Sequence, residues 1–254
     1  MTFLDGPTPL AFAHRGGALL PANDGIENTL TAFRNAVELG YRYLETDVHT
    51  SLDGVVYAFH DIGLTRMTGT VSAFRDLDSA GIDAILVGGR EPIPRLADLL
   101  EAFPDARFNI DVKADDAVEP TLAVLRDADA LDRVCLGSFS AERLTRLRAA
   151  VPTVPTCFSN TEIALLRFAP FRWLRAYGKR HGGACVQVPP RHGRITVVTR
   201  GLVRRAHAIG VPVHVWIIDD PAEMRYLLDI GVDGLMSDRV DVLRDVLGER
   251  GEWR

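Results

Sequence analysis

Charged side chains interrupt stretches of the sequence that otherwise have the composition of buried β-strands. Glu45 and Asp47 lie two residues apart in the run YLETDVHT, and Asp111 lies in the run RFNIDVK. Residues two apart on a strand point to the same face, so Glu45 and Asp47 form a pair. Three carboxylates from neighbouring strands are suitable ligands for a hard divalent cation, Mg²⁺ or Ca²⁺, with Mn²⁺ as a further candidate. His49 has the same parity, so a ligand from that side chain remains an alternative.

Basic side chains accompany these acids. His14 and Arg15 end the run LAFAHRG, and Lys113 ends the run that contains Asp111. Arg15 has the planar donor fork that binds phosphate oxygens, and Lys113 can bind the same anion as a point charge. Buried charges are costly unless they are paired or bind an ion, so structural ion pairs such as Asp111 with Arg15 are an alternative. Charges at the same end of three strands favour a functional site.

A second histidine is expected near the acids because the sequence predicts a hairpin. Asp53 and Gly54 lie between two alternating runs, which is the pattern of a two-residue turn. With this turn, Asp47 would lie opposite His60 on the returning strand, although a shift of one residue would carry His60 to the other face. His14 and His60 would then supply two imidazoles for acid and base catalysis near neutral pH.

Short apolar runs alternate with amphipathic stretches along the whole chain, which predicts parallel strands connected by helices. Eight runs are assigned to strands: 10–14, 43–48, 107–113, 134–139, 154–159, 184–188, 211–218 and 234–237. Eight such units close a (β/α)8 barrel, in which functional residues lie at the carboxyl ends of the strands. The segment at about 64–95 is expected to be an insertion over one end, and residues 1–254 are expected to form a single domain.

Composition agrees with a cytoplasmic globular protein. The 254 residues include 29 Lys and Arg against 34 Asp and Glu, a net charge of −5, which argues against nucleic-acid or anionic-membrane partners. Cys135, Cys157 and Cys185 lie in apolar runs and are expected to be buried thiols in a reducing compartment. The sequence shows neither a secretory signal nor an apolar run of membrane-spanning length, so no stable membrane insertion is expected.

The charged residues lie in blocks that closely resemble the glycerophosphodiester phosphodiesterase family. The blocks are AHRGG at 13–17, ENTLTAF at 27–33, LETDVHTSLDGVVYAFHD at 44–61, NIDVK at 109–113 and GVDGLMSDR at 231–239. They span nearly the whole chain in the order that the family has. The resemblance implies a barrel of the kind described above, with a small insertion at about 61–95 after the second strand.

The resemblance also implies roles for individual residues. It indicates the catalytic pair His14 and His60, the metal ligands Glu45, Asp47 and Asp111, and the substrate-binding residues Arg15, Lys113 and Trp216. The family often has Glu at the position of Asp111, which is one methylene shorter. Trp216 resembles an aromatic wall against the alcohol moiety, and plain core packing is its alternative. Glu27 and Asn28 would orient site residues or cap a helix.

The implied activity is metal-dependent hydrolysis of a small-molecule glycerophosphodiester to glycerol 3-phosphate and an alcohol. A lipid phosphodiesterase of the lysophospholipase D or phospholipase C type is the alternative, and it would show exposed apolar residues around the mouth of the barrel. The stretch 165–177 is a candidate for such a surface, but an ordinary amphipathic helix within 161–178 is the favoured interpretation. A third possibility is a phosphate-binding barrel without catalysis.

Overall fold

Residues 3–254 are described by the computed structural model, and their central feature is a closed sheet of eight parallel strands. The strands are β1 Leu10–His14, β2 Tyr43–Thr50, β3 Arg107–Val112, β4 Val134–Gly137, β5 Thr156–Cys157, β6 Gly183–Val188, β7 Val213–Val215 and β8 Gly234–Ser237. Each strand pairs with the next, and β8 pairs with β1, so the sheet closes. The predicted (β/α)8 barrel is confirmed.

Helices connect the strands and cover the outside of the barrel. They are Leu30–Glu38, Leu96–Ala102, Val118–Asp127, Ala141–Ala150, Asn160–Phe168, Arg172–Arg175, Tyr177–Arg180, Arg200–His207, Pro221–Asp229 and Val240–Glu249. Several begin with a polar capping residue, as at Ser140, whose side chain accepts a hydrogen bond from Arg143 N. Within residues 3–254, none of these helices has the length and apolar character that crossing a bilayer requires.

The predicted helix over 161–178 is wrong, because the chain breaks near its centre. The segment forms three short helices, Asn160–Phe168, Arg172–Arg175 and Tyr177–Arg180. Pro170 has no N–H group to donate and disfavours helical angles at the residue before it. Ala169 is accordingly extended, with φ −62° and ψ 138°.

The second strand turns back as a hairpin, but its register differs by one residue from the prediction. The short antiparallel strand Val56–Ala58 pairs so that Val48 lies opposite Ala58. Phe59 N donates to Asp47 O at 2.9 Å, so the predicted pairing of Asp47 with His60 is wrong. Phe59 lies opposite Asp47, and His60 is one residue further along the chain.

The cause of this register is a loop of three residues in place of two. Ser51 N donates to Val55 O at 2.9 Å, which leaves Leu52, Asp53 and Gly54 as the loop. Gly54 has φ 85°, the left-handed conformation that the last residue of a three-residue loop adopts. Asp53-Gly54 therefore does mark the turn of the hairpin, as predicted, but the two residues form part of a three-residue loop.

The insertion after β2 carries its own small core. Its regular elements are the helices Thr65–Thr68 and Ser79–Asp83, the 3₁₀ turn Phe74–Asp76 and the paired strands Leu86–Val87 and Glu91–Pro92. Side chains from the hairpin and the insertion pack together, among them Tyr57, Phe59, Leu64, Phe74 and Ile82. The insertion is thereby attached to the strand that follows the site carboxylates.

Two apolar clusters lie on opposite sides of the barrel wall. The inner cluster includes Phe12, Tyr43, Cys135, Cys185 and Met236, and the outer cluster joins the strands to the helices. All three cysteines are buried free thiols, as predicted. Alternation along β2 gives Glu45 and Asp47 the same inward direction as Tyr43. Inside the barrel, the charged residues thus lie nearer the carboxyl ends of the strands than the apolar inner cluster does.

A buried ion pair on the outer wall of the barrel gives a stability prediction. Glu162 is 4% exposed, and its two carboxylate oxygens accept hydrogen bonds from the Arg148 guanidinium at 2.8 and 2.9 Å. Glu162→Ala leaves that cation buried without its partner, so we expect the free energy of unfolding to fall by about 3–5 kcal/mol at pH 7. Glu119→Ala is the matched control, because its ion pair with Arg146 is exposed and is worth less than about 1 kcal/mol.

The same pair predicts a pH dependence. Burial raises the pKa of Glu162, but the hydrogen bonds from Arg148 and from Ser159 N outweigh burial and hold it below the ordinary 4.5. A lowered pKa contributes stability above the ordinary value, and this contribution is lost as the pH falls through the folded-state pKa. Urea unfolding should therefore show the gap between wild type and Glu162→Ala narrowing below pH 4.5. A gap that widens there would contradict the assignment.

Candidate active site

The first three strands bring four titratable side chains to one end of the barrel. Parallel pairing sets His14 of β1 opposite Glu45 of β2, and Asp47 of β2 opposite Asp111 of β3. All four side chains are buried. They lie at or near the carboxyl ends of their strands, where the loops that follow can cover them.

Lys113 binds two of the carboxylates at once. Its Nζ lies 2.7 Å from Asp47 Oδ1 and 2.6 Å from Asp111 Oδ2. Burial lowers the pKa of Lys113, but the two carboxylates outweigh burial and raise it to about 12. Lys113 is therefore an ammonium ion at neutral pH, and its positive charge is fixed between two acids.

Arg15 enters the site through a sharp turn after β1. Its φ of 51° is left-handed, and Gly16 and Gly17 follow with φ of 82° and 86°. A Cβ on Gly16 would lie 2.8 Å from the Ala32 carbonyl carbon, so the turn needs glycine there. Non-glycine residues with positive φ are costly and cluster at functional sites, which agrees with the position of Arg15.

The guanidinium of Arg15 is held by two acids. Its Nε lies 3.2 Å from Asp47 Oδ2, and its Nη1 donates to Glu27 Oε1 at 3.0 Å. Asn28 supports the same carboxylate, because its Nδ2 lies 3.5 Å from Asp47 Oδ2 and its Oδ1 accepts from Thr46 Oγ1. Burial raises the pKa of Asp47, but Lys113 and Arg15 outweigh it and lower the pKa. Glu27 and Asn28 therefore orient site residues.

The acids carry negative charge that their neighbours do not fully compensate. Burial and the charge of Asp47 raise the pKa of Glu45 to about 7. Burial also raises the pKa of Asp111, whose Oδ1 is buried without a hydrogen-bond partner. Both observations indicate carboxylates that a further cation would stabilise.

The donor set fits a hard divalent cation in its chemistry, although the ligands are not gathered into a finished site. Within residues 3–254, no three His, Cys, Asp or Glu side chains are positioned to hold a metal as they stand. The ammonium of Lys113 lies between Asp47 and Asp111. Glu45, Asp47 and the unpartnered Oδ1 of Asp111 are nevertheless the oxygen ligands that Mg²⁺ or Ca²⁺ prefers.

Each of the two histidines is oriented by an aspartate. His14 Nδ1 lies 2.6 Å from Asp238 Oδ1, and His60 Nδ1 lies 2.6 Å from Asp61 Oδ1. A carboxylate can only accept, so Nδ1 carries the proton in both rings and Nε2 is the exchangeable nitrogen. Burial lowers the pKa of His14, but Glu45 and Asp238 outweigh it and raise the pKa. His14 Nε2 lies 3.7 Å from Glu45 Oε2.

A chain of alternating charges joins the His60 side of the site to Arg15. Arg66, in the insertion, donates from Nε to Asp61 Oδ2 and from Nη2 to Glu27 Oε1, both at 2.6 Å. Asp61 also binds His60, and Glu27 also binds Arg15. The hydrogen bonds from Arg66, assisted by the contact with His60, lower the pKa of Asp61 to about 2. The five connected side chains are called the charged network below: His60, Asp61, Arg66, Glu27 and Arg15.

The sequence interpretation assigned no role to Asp61, Arg66 or Asp238. Asp61 and Asp238 lie in the motif blocks FHD and SDR, which was a signal of their importance. Arg66 lies in a polar segment without a regular pattern, so only the folded chain shows its contacts. His49, an alternative metal ligand, has its Nε2 3.1 Å from His60 O. His49 therefore contacts the backbone of His60, one of the two predicted catalytic residues.

Aromatic side chains form one wall of the mouth. Trp216 follows β7 and is half-buried, and its ring lies 5.8 Å from that of Phe139 in an edge-to-face arrangement. Lys113 Nζ lies 5.3 Å from the centre of the Phe139 ring. Trp216 thus contacts Phe139, which in turn contacts Lys113, and Phe139 is a second aromatic residue that the sequence interpretation missed.

Similarity to known proteins agrees with this geometry. Residues 14–242 match the model of the glycerophosphoryl diester phosphodiesterase family. The chain belongs to this family. It is 42% identical over 260 residues to the probable glycerophosphodiester phosphodiesterase 2 of Mycobacterium tuberculosis, with 98% of each chain covered. As a family member it is a phosphoric diester hydrolase.

Other relatives extend the comparison. Human lysophospholipase D GDPD1 is 26% identical over 280 residues, covering 92% of this chain and 85% of that protein. The structure of a glycerophosphodiester phosphodiesterase from Agrobacterium tumefaciens has a TM-score of 0.78 at 25% identity, covering 98% of this chain and all of that one. The same fold, with a TM-score of 0.80 at 21% identity, occurs in an Oleispira antarctica phosphodiesterase in complex with sn-glycerol-3-phosphate, covering 95% and 97%.

The loops around the mouth of this phosphodiesterase expose apolar side chains. These side chains belong to the segments that follow the carboxyl ends of several strands, and they are Leu19, Ile62, Phe139, Ile195 and Ile217. Phe139 is 61% exposed although it lies beside Lys113. The mouth thus combines a charged floor with an apolar rim.

Proposed function

We propose that the chain hydrolyses glycerophosphodiesters to glycerol 3-phosphate and an alcohol, in a reaction that depends on a divalent metal ion. The observation that carries the proposal is the pair of Asp-oriented imidazoles, His14 and His60, beside a buried cluster of carboxylates with two fixed cations. Family membership supports the reaction class. The sn-glycerol-3-phosphate in the Oleispira antarctica enzyme, which has the same fold, agrees with the product.

The site would bind the phosphodiester through complementary charge. Arg15 would direct its guanidinium to a phosphate oxygen, and Lys113 would contribute a second positive charge. Glu45, Asp47 and Asp111 would hold the cation, which would offset the charge of the phosphodiester and of the transition state. The Trp216 and Phe139 wall would contact the apolar part of the alcohol moiety.

The histidines would move the protons. One Nε2 would remove a proton from the attacking hydroxyl, and the other would donate a proton to the oxygen of the leaving alcohol. Asp238 and Asp61 accept from Nδ1 of the two rings and so would hold them in the tautomer that this exchange requires. The 2-hydroxyl of the substrate glycerol is the nucleophile that the family resemblance implies, and water then opens the resulting cyclic phosphate.

A product assay with glycerophosphocholine tests the proposal. We expect release of glycerol 3-phosphate and choline in Mg²⁺, Mn²⁺ or Ca²⁺, and a loss of at least about 100-fold after chelation, because the buried carboxylates would then lack their cation. Readdition of metal should restore the rate, and a chelator already saturated with metal is the matched control. Release of phosphocholine, or full activity in chelator, would refute the proposed reaction.

The apolar rim favours a second candidate, hydrolysis of lysophospholipids. A single acyl chain could lie against Ile62, Phe139 and Ile217 while the phosphodiester binds below. The similarity to human lysophospholipase D GDPD1 supports this substrate class. The assay above should therefore include lysophosphatidylcholine, and a kcat/KM higher than that for glycerophosphocholine would make the lipid the preferred substrate.

A further inference from the structure

The charge of the chain is distributed unevenly. Residues 163–218 contain ten Lys and Arg and no Asp or Glu, so the remaining chain holds 19 of the 29 basic residues and all 34 acidic residues. The overall net charge of −5 therefore conceals a strongly basic segment and a strongly acidic remainder. Asymmetry of this size indicates an interaction with an anionic partner.

The same segment exposes a group of aromatic side chains, called the aromatic patch here. The patch consists of Phe168, Phe171, Trp173 and Tyr177. Phe171 and Trp173 are each 58% exposed, and their rings lie nearly parallel with centres 6.4 Å apart. Exposed aromatic residues in contiguous groups are uncommon on a monomer and mark interaction surfaces. The break at Pro170 lies between Phe168 and Phe171 of the patch.

Basic side chains surround the patch without acidic partners. Arg172, Arg175, Lys179 and Arg180 all donate to backbone carbonyl oxygens at 2.7–2.9 Å. Such hydrogen bonds hold the side chains in place and leave their charges uncompensated. In the part of the chain that the structure describes, no ion pair joins a Lys or Arg of 163–218 to a carboxylate.

The basic surface continues from the patch to the mouth of the barrel. Helix Arg200–His207 packs beside Asn160–Phe168 and exposes Arg204. The hairpin formed by Arg191–His192 and Ile195–Thr196 follows β6 at the carboxyl end of the barrel, and Ile195 is 56% exposed. The patch itself lies towards the other end, since helices of the barrel run opposite to its strands. Residues 163–218 therefore form one basic side of the barrel.

We propose that this side docks on an anionic phospholipid membrane. The aromatic patch would enter the interfacial layer, and the surrounding guanidinium and ammonium groups would contact lipid phosphates. A planar membrane touches one side of the protein only, so the acidic remainder of the chain faces away from it. Single-stranded RNA could stack on exposed aromatic residues, but it has no use for the exposed aliphatic side chain of Ile195. A second copy docked symmetrically would present the same positive charge.

Vesicle flotation with the full chain tests the proposal. We expect binding to vesicles of phosphatidylcholine and phosphatidylglycerol to be at least about tenfold tighter than binding to phosphatidylcholine alone, since several cations contact the surface. Added NaCl should weaken this binding, because salt screens exposed charges. Equal affinity for the two kinds of vesicle, absence of binding, or tighter binding to RNA would overturn the proposal.

Matched variants separate the two contributions. Phe171→Ser combined with Trp173→Ser should weaken binding about tenfold, and Arg204→Glu should weaken it about fivefold or more. The controls Tyr226→Ser and Arg75→Glu change an exposed aromatic and an exposed basic residue outside 163–218, and they should bind as wild type. Equal losses in variants and controls would overturn the assignment to this side. Turnover of a water-soluble diester should stay unchanged throughout, so the result is independent of the proposed activity.

Discussion

His14→Ala is expected to lower kcat/KM for a glycerophosphodiester by about 100- to 10,000-fold while the protein stays folded. The imidazole is buried between Asp238 and Glu45, and its Nε2 is the nitrogen left free to exchange a proton. His60→Ala should produce a loss of the same order, because the other proton transfer then lacks its partner. His181→Ala is the matched control, since that histidine is exposed and stacks on Tyr177 of the aromatic patch, away from the mouth.

The measurement is steady-state turnover at saturating metal, together with circular dichroism to establish folding. A glycerophosphodiester with an activated leaving group, such as glycerol 3-(p-nitrophenyl phosphate), separates the two roles, because it keeps the glycerol hydroxyl but no longer needs the proton donor. The variant that lacks the general acid should therefore recover most of its rate on this substrate, and the variant that lacks the base should not. Folded variants with near wild-type turnover would remove both histidines from the mechanism.

Asp47→Asn is expected to reduce kcat/KM by about 1,000-fold and to raise the metal concentration needed for half-maximal activity by at least about tenfold. Asp47 is buried and contacts both site cations, with Lys113 Nζ at 2.7 Å and Arg15 Nε at 3.2 Å. The amide keeps the shape of the side chain but removes the charge that a cation needs. It also leaves Lys113 and Arg15 with fewer partners, so their positions should change.

Titration of activity with Mg²⁺ or Mn²⁺ tests this prediction, and excess metal should restore part of the lost rate. Asp129→Asn is the control because it removes one carboxylate from an exposed position away from the site. An Asp47→Asn variant with the metal requirement of wild type would show that the cation binds elsewhere.

The barrel and its inward acids could be predicted because they depend on local alternation. The sequence predicts a barrel strand at 43–48 with Glu45 and Asp47 on one face, and the structure has the strand Tyr43–Thr50. Residues 234–237 agree equally well. Polar and apolar side chains alternate along the second strand, so the period of two assigns Glu45 and Asp47 to one face. The run 234–237 is short and buried throughout, so it is recognised as an apolar run and not by alternation.

The hairpin register could not be predicted because turn chemistry does not fix loop length. Asp53-Gly54 favours both a two-residue turn and the end of a three-residue loop. Ser51 decides between them, since its Oγ accepts a hydrogen bond from Val55 N at 2.9 Å and its N–H donates to Val55 O. These contacts depend on the folded loop and have no signature in the alternating pattern.

Contacts between distant segments were also beyond prediction. His14 and Asp238 are separated by 224 positions, and only closure of the barrel brings them within hydrogen-bond distance. The basic side was concealed for a different reason. The net charge of −5 is a sum over the whole chain, whereas a binding partner contacts only one surface of the protein. The argument from net charge against an anionic membrane therefore does not apply to the basic residues of 163–218.

Because of the charged network, the orientation of the site residues in the barrel depends on the insertion. Arg66 is the only member contributed by the helix Thr65–Thr68, yet it holds the carboxylates that orient His60 and Arg15. Shortening this segment, or replacing it with the corresponding loop of a relative, would disconnect both ends of the network even if all catalytic candidates were retained. A functional chimera must therefore exchange Glu27, Asp61 and Arg66 as a unit.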